Sequence, residues 1–302
     1  MSSIRTSLII TTYNQPDYLR FVLKTVATQI VLPDEVLIAD DGSRDETGVV
    51  VREFCEKRDV SFPVIRAWQE DRGFRLNASR NNALALASGD YVIMIDGDCF
   101  LNPHFIADHL RFAARGRYVG GSRVNIREKL KRQLLAGQEP CVTFFTRGTS
   151  KKFHAIRSLV LARALSGLRP EKGEKLEESA DPYWRSGIAG ANLAFWRDDA
   201  LAVNGFNEIL ERYGGDDLEF ASRLEKTGVD RFHLVHYGMV YHFSHAQPYG
   251  GSIEGRLTPK SPAYLASLET PSRCKDEFGL TRALLKSREF ERPEKGYRQY
   301  NF

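Results

Sequence analysis

Apolar and polar residues alternate along the first third of the chain in two distinct periods. Residues 6–12 (TSLIITT) form an apolar run that predicts a buried strand, and residues 16–29 repeat apolar positions at helical spacing. EVLIADD (35–41) and VSFPVIRAW (60–68) predict two more strands, separated by a helix from Asp45 to about residue 57.

The same alternation continues toward residue 112. Asn77 opens a predicted helix that stops at Gly89, and DYVIMID (90–96) predicts a fourth strand. We expect Asn102-Pro103 to cap the next helix. Strands and helices that alternate in this way predict an α/β fold with a mostly parallel mixed sheet flanked by helices.

Polar side chains follow three of these strands at the point where each strand ends. In open α/β sheets the ligand crevice lies beyond the carboxyl ends of the strands, so these side chains are candidates for one site. They are Thr11, Thr12, Tyr13, Asp40, Asp41, Asp96 and Asp98.

The segment DYVIMIDGDCF places Asp96 and Asp98 on either side of a glycine. Two carboxylates so close repel each other unless a cation lies between them and a diphosphate. Mg²⁺ and Mn²⁺ prefer oxygen ligands and are commonly held by one or two carboxylates plus substrate phosphates. The alternative is a surface turn, which supplies many such pairs.

Two further clusters allow both a structural and a functional interpretation. In IADDGS, Asp41 could accept a hydrogen bond from the N3–H of uracil, or it could be a turn residue beside Asp40. Arg72, Arg75 and Arg80 surround a helix start and could bind a diphosphate or donor-sugar hydroxyls, or form ordinary surface charge pairs.

The second half of the chain carries an acidic helix start and two histidines. In YGGDDLEF, Asp216 and Asp217 suit a helix N-terminus electrostatically, and either could also act as a general base. His242, with His245 as the alternative, follows a predicted strand and could supply a nitrogen ligand to a metal.

Composition excludes several classes of protein. The chain of 302 residues is 42% hydrophobic and 27% charged, with a net charge of +4, which is ordinary for a globular protein. No basic and aromatic pattern indicates nucleic-acid binding. The N-terminus does not resemble a signal peptide, no stretch is long enough to span a bilayer, and the scattered cysteines indicate a reducing environment. We therefore expect a cytoplasmic protein of unknown oligomeric state.

The chain divides by composition into four parts. We expect two halves of one domain at residues 1–122 and 186–247, with a basic helical insertion at 123–185 between them. The basic insertion is either a solvated excursion or a surface for anionic lipid or an anionic acceptor, which would place the protein peripherally at the inner face of the plasma membrane. Residues 248–302 predict a loosely packed C-terminal extension.

Several of these segments together resemble family 2 glycosyltransferases of the GT-A fold. They are SLIITTYNQPDYLRFVLKTVATQ, VLIADDGSRDET, RNNALALASGDYVIMIDGD and NLAFWRDDALAVNGFNE with GGDDLEFASRL. The later half resembles the branch with a galactosyltransferase-type C-terminal region, as in chondroitin-type polymerases. The resemblance implies inverting transfer of a sugar from a UDP-sugar to a glycan or lipid-linked acceptor, in synthesis of bacterial surface polysaccharide or lipopolysaccharide.

The resemblance also implies that residues 1–122 are the nucleotide-sugar-binding half of the domain and residues 186–247 the acceptor-binding half, and it assigns roles to individual residues. Those assigned to the donor are Thr11, Tyr13, Asp40, Asp41, Arg80 and Asp96. Those assigned to Mn²⁺ or Mg²⁺ are Asp98 and His242, with Asp96 holding the ribose or the metal's water. Asp217 resembles the catalytic base, Asp216 would orient the acceptor, and Trp196 resembles an acceptor-site aromatic. The family commonly has Glu-Asp where this chain has Asp216-Asp217.

Other functions fit the residues less well. A haloacid-dehalogenase-type hydrolase needs its nucleophilic aspartate on the first strand and a small β-branched residue where Phe100 stands. Nucleotidyltransferases and dinucleotide oxidoreductases need a glycine-rich loop after the first strand, and TTYNQPDY contains no glycine. A catalytically inactive protein that binds a nucleotide sugar or a glycan remains the alternative.

Overall fold

The structure is a computed structural model that describes eight ranges of the chain. These ranges are 4–58, 60–121, 123–137, 190–211, 214–234, 237–243, 279–291 and 293–302.

An eight-stranded mixed sheet forms the centre of the described residues, in the order β11-β3-β2-β1-β4-β8-β6-β9. Its strands are β1 (Thr6–Thr12), β2 (Glu35–Asp40), β3 (Pro63–Trp68), β4 (Tyr91–Asp96), β6 (Arg117–Gly121), β8 (Asn192–Trp196), β9 (Asp230–Leu234) and β11 (Gly296–Asn301). β8 runs antiparallel to β4 and β6, and the other neighbouring strands are parallel. Strands from both predicted halves therefore share one sheet.

Helices cover both faces of this sheet. They are α1 (Pro16–Val26), α2 (Asp45–Arg58), α3 (Leu76–Leu86), α4 (Phe105–Phe112), α5 (Glu128–Leu135), α6 (Arg197–Ala202), α7 (Asp216–Lys226) and α8 (Leu280–Ser287). The strand alternation separates the two cores: Leu8 and Ile10 pack with α1 and α2, whereas Ile9 faces α3. The predicted α/β GT-A-type layering is confirmed.

A second sheet of three strands lies beside the carboxyl end of β4. It contains β5 (Cys99–Leu101), β10 (Val240–Phe243) and β7 (Arg123–Ile126), in the order β5-β10-β7. The register pairs His242 with Cys99 on one side and with Asn125 on the other. β10 therefore places His242 opposite Cys99, the residue that follows Asp98. β7 also shows that the predicted helical insertion begins as a strand, and only residues 123–137 of it are described.

Most predicted elements are present, with shifts at their ends. The cap expected at Asn102-Pro103 is wrong by two residues, because α4 begins at Phe105. Asn102 instead closes the turn before the helix: its carbonyl accepts from the Phe105 N–H at 2.9 Å and its side chain from the His104 N–H at 3.0 Å.

The expectation of a loosely packed tail is wrong for the residues described after 278. β11 pairs with β3 along its whole length, from Gly296 opposite Pro63 to Asn301 opposite Trp68. α8 packs on α3 and buries Leu280 and Ala283. The end of the chain therefore extends the central sheet.

None of the helices in the described ranges has the length and apolar character needed to cross a membrane.

Candidate active site

The carboxyl ends of β1 and β4 bring the first predicted residues together. The register sets Thr11 opposite Asp96, and the Thr11 hydroxyl donates a hydrogen bond to Asp96 Oδ1 at 2.8 Å. The Gly97 N–H donates to the Thr11 carbonyl at 2.7 Å, and a Cβ on Gly97 would lie only 2.7 Å from that oxygen. Glycine between the two aspartates is therefore a steric requirement of the chain's turn at this edge.

A buried guanidinium links this strand end to the start of α7. Arg80, on α3, forms an ion pair with Asp216 and donates to Asp217 Oδ1 at 3.1 Å, and its Nη2 lies 3.9 Å from Asp96 Oδ1. Its charge also lies over the Phe206 ring, 5.2 Å from the centroid. Asp96 and the sequence-distant pair Asp216 and Asp217 thus surround one guanidinium group.

Asp217 is held in a position suited to proton transfer. Its second oxygen accepts from the Gly190 N–H at 2.6 Å, and its side chain keeps 24% of its surface exposed. Burial, and then repulsion by Asp216, raise the pKa of Asp217 to about 7, against the lowering effect of Arg80. A carboxylate whose pKa lies near neutrality is a suitable general base.

Asp98 and His242 form a second pair beside this cluster. Asp98 Oδ2 lies 3.3 Å from His242 Nε2, and His242 Nδ1 lies 3.0 Å from Asn125 Oδ1. If Nδ1–H donates to Asn125, the Nε2 lone pair faces Asp98, which is the usual arrangement of a metal-binding histidine. These two atoms are close enough to bind one divalent cation together, and a carboxylate oxygen is a ligand that Mg²⁺ and Mn²⁺ prefer.

Within the described ranges, no three or more His, Cys, Asp and Glu side chains gather as a metal-binding group. Asp96 therefore does not complete a three-residue cluster with Asp98 and His242. Burial and the neighbouring Asp98 charge raise the pKa of Asp96, and a bound cation would relieve that repulsion. His245, the alternative ligand, lies outside the described residues.

The two aspartates that end β2 occupy different environments. Asp40 has no exposed surface: Arg66 forms an ion pair with one oxygen at 2.6 Å, and the Ser43 N–H donates to the other at 2.7 Å. Asp40 thus anchors the end of β2. Contrary to the expectation from sequence, its carboxylate is not exposed to a nucleotide sugar.

Asp41 follows the end of β2 and is largely buried. Its carboxylate accepts from the Gln69 side-chain amide at 2.6 Å and from the Arg75 backbone N–H at 2.9 Å. Burial raises its pKa to about 6, and these two hydrogen bonds oppose that effect. Nearby, Tyr13 is 46% exposed and donates from its hydroxyl to Asp71 at 2.9 Å.

The structure contradicts the expected acceptor contact of Trp196. Antiparallel pairing sets Trp196 opposite Tyr91, at the other end of β4 from Asp96. Five residues of strand separate those two ends, about 16 Å. Trp196 is buried there, donates to the Ala114 carbonyl at 2.7 Å and stacks under Arg115.

Three residues that position the site were not identified from sequence. Gly190 approaches Asp217 so closely that any Cβ would collide with Asp217 and Arg80. Asn125 contacts His242, and Gln69 contacts Asp41. Gly190 could have been noticed from sequence, because a glycine follows the basic insertion there. The side-chain amides of Asn125 and Gln69 belong to no sequence pattern that would identify their partners.

Comparison with known proteins finds two family models that match most of the chain. The model of glycosyl transferase family 2 matches residues 7–166, and the model described as the N-terminal domain of galactosyltransferase matches residues 174–246. A hyaluronan synthase of Pasteurella multocida is 28% identical over 78% of this chain and 24% of its own length. A chondroitin synthase of Escherichia coli is 25% identical over 78% of this chain and 34% of its own. The chain thus spans about a quarter to a third of these relatives.

Solved structures share the fold at low sequence identity. S. aureus TarS 1–349 in complex with UDP-GlcNAc superimposes with a TM-score of 0.59 at 15% identity, covering 96% of this chain and 74% of that one. GalNAc-T7 with UDP, GalNAc and Mn²⁺ gives a TM-score of 0.59 at 16% identity, covering 89% of this chain and 48% of that one.

Proposed function

The chain belongs to glycosyl transferase family 2, and we propose that it transfers a sugar from a UDP-sugar to a hydroxyl group of a glycan or lipid-linked acceptor. The transfer inverts the anomeric configuration and depends on Mn²⁺ or Mg²⁺. We place it in synthesis of bacterial surface polysaccharide or lipopolysaccharide. The relatives named hyaluronan and chondroitin synthases support that setting.

The donor lies along the carboxyl ends of β2, β1 and β4. Asp41 accepts the N3–H of uracil, Thr11 and Tyr13 line the nucleotide, and Asp96 faces the ribose or the metal's water. The hydrogen bonds of Asp41 support this role, because both of its oxygens are held as acceptors directly after the end of β2. Asp40 stays outside the site as the partner of Arg66.

Asp98 and His242 would hold the divalent cation. When bound, the metal supplies charge neutralisation for the diphosphate leaving group. Asn125 keeps the His242 ring in the orientation that turns Nε2 toward Asp98. The solved structure of GalNAc-T7 with UDP, GalNAc and Mn²⁺ supports this pairing of nucleotide and metal.

Asp217 acts as the general base. It accepts the proton of the acceptor hydroxyl as that oxygen forms its bond to the anomeric carbon, while the bond from that carbon to the diphosphate oxygen breaks. UDP leaves with the bonding electrons, and Asp217 holds the proton until it returns to solvent. Asp216, bound to Arg80, keeps the guanidinium against Asp217 and has little surface left for the acceptor.

One observation carries this proposal: a single guanidinium contacts both Asp217 and Asp96. Arg80 lies 3.1 Å from Asp217 and 3.9 Å from Asp96, so the base and the donor-side carboxylate border the same crevice. An inverting displacement needs its base across from the leaving group within one such space.

The test combines binding and turnover. We expect a panel of UDP-sugars to raise the melting temperature only when Mn²⁺ is present. Asp217→Asn should keep this binding and lose transfer by about 10²–10⁴-fold, the usual contribution of a positioned base. Asp98→Ala should lose both. Asp198→Asn, at an exposed aspartate, is the matched control and should change neither. Near-normal turnover by Asp217→Asn would refute the assignment of the base.

A further inference from the structure

Arg123 lies on the outer strand of the three-stranded sheet, close to the pair proposed to hold the cation. This strand, β7, pairs with β10 in a register that sets Asn125 opposite His242. Alternate residues of a strand project from the same face, so Arg123 shares the face on which Asn125 Oδ1 lies 3.0 Å from His242 Nδ1. Arg123 is exposed there. A long cationic side chain therefore stands two residues along the strand from the contact that orients His242.

The charge of Arg123 acts on residues to either side of Asp98. Burial and then the Asp98 charge raise the pKa of Asp96, and the charges of Arg80 and Arg123 oppose that rise. Burial also raises the pKa of the Cys99 thiol, and Arg123 opposes this rise as well. The guanidinium therefore lies within electrostatic range of the acidic end of β4.

The three arginines that the sequence suggested for a diphosphate are engaged elsewhere. Arg80 is buried among three carboxylates. Arg72 forms an ion pair with Glu70 at 2.6 Å, and Arg75 donates to the Glu70 carbonyl at 2.5 Å. Among the residues that the structure describes, no carboxylate forms an ion pair with Arg123. Its N–H groups therefore face no described acid.

The charges around the site leave a bound diphosphate without a counterpart. Asp96 and Asp98 balance the two charges of a divalent cation, and Asp216 with Asp217 outnumber the single charge of Arg80. A sugar diphosphate is dianionic, and the diphosphate acquires about one further negative charge when the sugar leaves. A guanidinium binds phosphate oxygens through paired N–H donors and stays protonated at any working pH.

We propose that Arg123 binds the diphosphate of the donor and stabilises the charge that the leaving group acquires. As the bond to the anomeric carbon breaks, its electrons pass to the diphosphate oxygen, and Arg123 keeps its protons. The inference rests on the proposed binding of a UDP-sugar. The alternative is a structural one, in which a charged side chain on an edge strand only keeps that edge from pairing with other chains.

Three variants separate these two roles. Arg123→Met removes the charge and keeps most of the side chain's length, and the exposure of Arg123 means that no core is opened. Arg123→Lys keeps the charge. Arg132→Met is the matched control, because Arg132 is exposed on α5, nine residues further along the same basic segment.

The experiment is calorimetric titration of the full chain, first with Mn²⁺ alone and then with UDP in saturating Mn²⁺. Arg123→Met should weaken UDP binding by at least about tenfold, the usual loss for a hydrogen bond between charged groups. The same variant should bind Mn²⁺ alone as tightly as the wild type or more tightly, because the positive charge of Arg123 repels a cation at Asp98. Arg123→Lys should stay within about threefold of the wild type for UDP, and Arg132→Met should match it for both ligands.

A structural role for Arg123 predicts a different result. Disturbed pairing of β7 with β10 would displace His242 and weaken Mn²⁺ and UDP together, and that result in Arg123→Met would overturn the inference. An equal loss of UDP affinity in Arg123→Lys and Arg123→Met would also overturn it, since the charge would then not matter. If the wild type binds UDP and Arg123→Met matches it, only this inference fails. If the wild type does not bind UDP in Mn²⁺, the proposed function fails with it.

Discussion

At the scale of single residues, the pKa of Asp217 depends on Arg80 and should set the pH range of the proposed transfer. Burial and Asp216 raise the pKa of Asp217 to about 7, and Arg80 lowers it. A general base must be ionised to accept a proton, so kcat/KM should rise with pH through about 7 and then level off. The pKa of this one carboxyl group sets the acidic limb of the profile.

Arg80→Lys should move that limb. The guanidinium contacts Asp216 and Asp217 through Nη1 and extends toward Asp96 through Nη2. Lysine carries one compact charge and cannot reproduce this three-carboxylate arrangement, so its contact with Asp217 should weaken and the pKa of Asp217 should rise. We expect the acidic limb of kcat/KM to shift upward by on the order of one pH unit. Arg223→Lys, which changes a comparable arginine paired with Glu219 on α7, should leave the profile in place. An unshifted limb in Arg80→Lys would separate Arg80 from the base.

At the scale of elements, the C-terminal strand is part of the core. Tyr300, on β11, is buried and stacks on Phe290 with ring centroids 4.5 Å apart. Tyr300→Ala should lower the free energy of unfolding by about 3 kcal/mol, the usual loss for a buried aromatic side chain. Urea denaturation measures this, and the m-value should be unchanged. Arg298→Ala, exposed on the same strand, is the control. Equal midpoints for the two variants would mean that β11 is not docked.

Local patterns predict elements and strand ends well, and pairing between distant elements poorly. Thr11 and Asp96 could be expected to meet, because parallel strands in an α/β sheet end at one edge. Trp196 could not be placed from its own segment. β8 has the same apolar pattern in either direction, and only its antiparallel register with β4 sends Trp196 to the far edge. Tyr300 likewise belongs to a short edge strand, and its partner strand β3 lies in the first quarter of the chain.

At the scale of the whole molecule, the burial of Asp217 should lower the stability of the fold at neutral and higher pH. An ionised Asp217 is partly buried beside Asp216, and its pKa of about 7 exceeds the ordinary 3.8 that applies to the unfolded chain. Between those two values the folded state binds more protons than the unfolded state. The contribution of Asp217 to stability is therefore full below about pH 4 and is lost as the pH rises through about 7.

Asp217→Asn should consequently be more stable than the wild type at pH 8, by on the order of 1.4 kcal/mol for each unit by which the pKa is raised. The advantage should shrink as the pH falls and disappear near pH 4, where Asp217 is protonated in both states. Groups such as buried His109 titrate in both proteins and cancel in the difference. Thermal unfolding from pH 4 to pH 8 measures it, with exposed Asp198→Asn as the control that should show no pH-dependent difference. A variant less stable than the wild type at pH 8 would mean that Arg80 and the Gly190 N–H more than compensate for burial, and that the carboxylate is held for the fold as well as for catalysis.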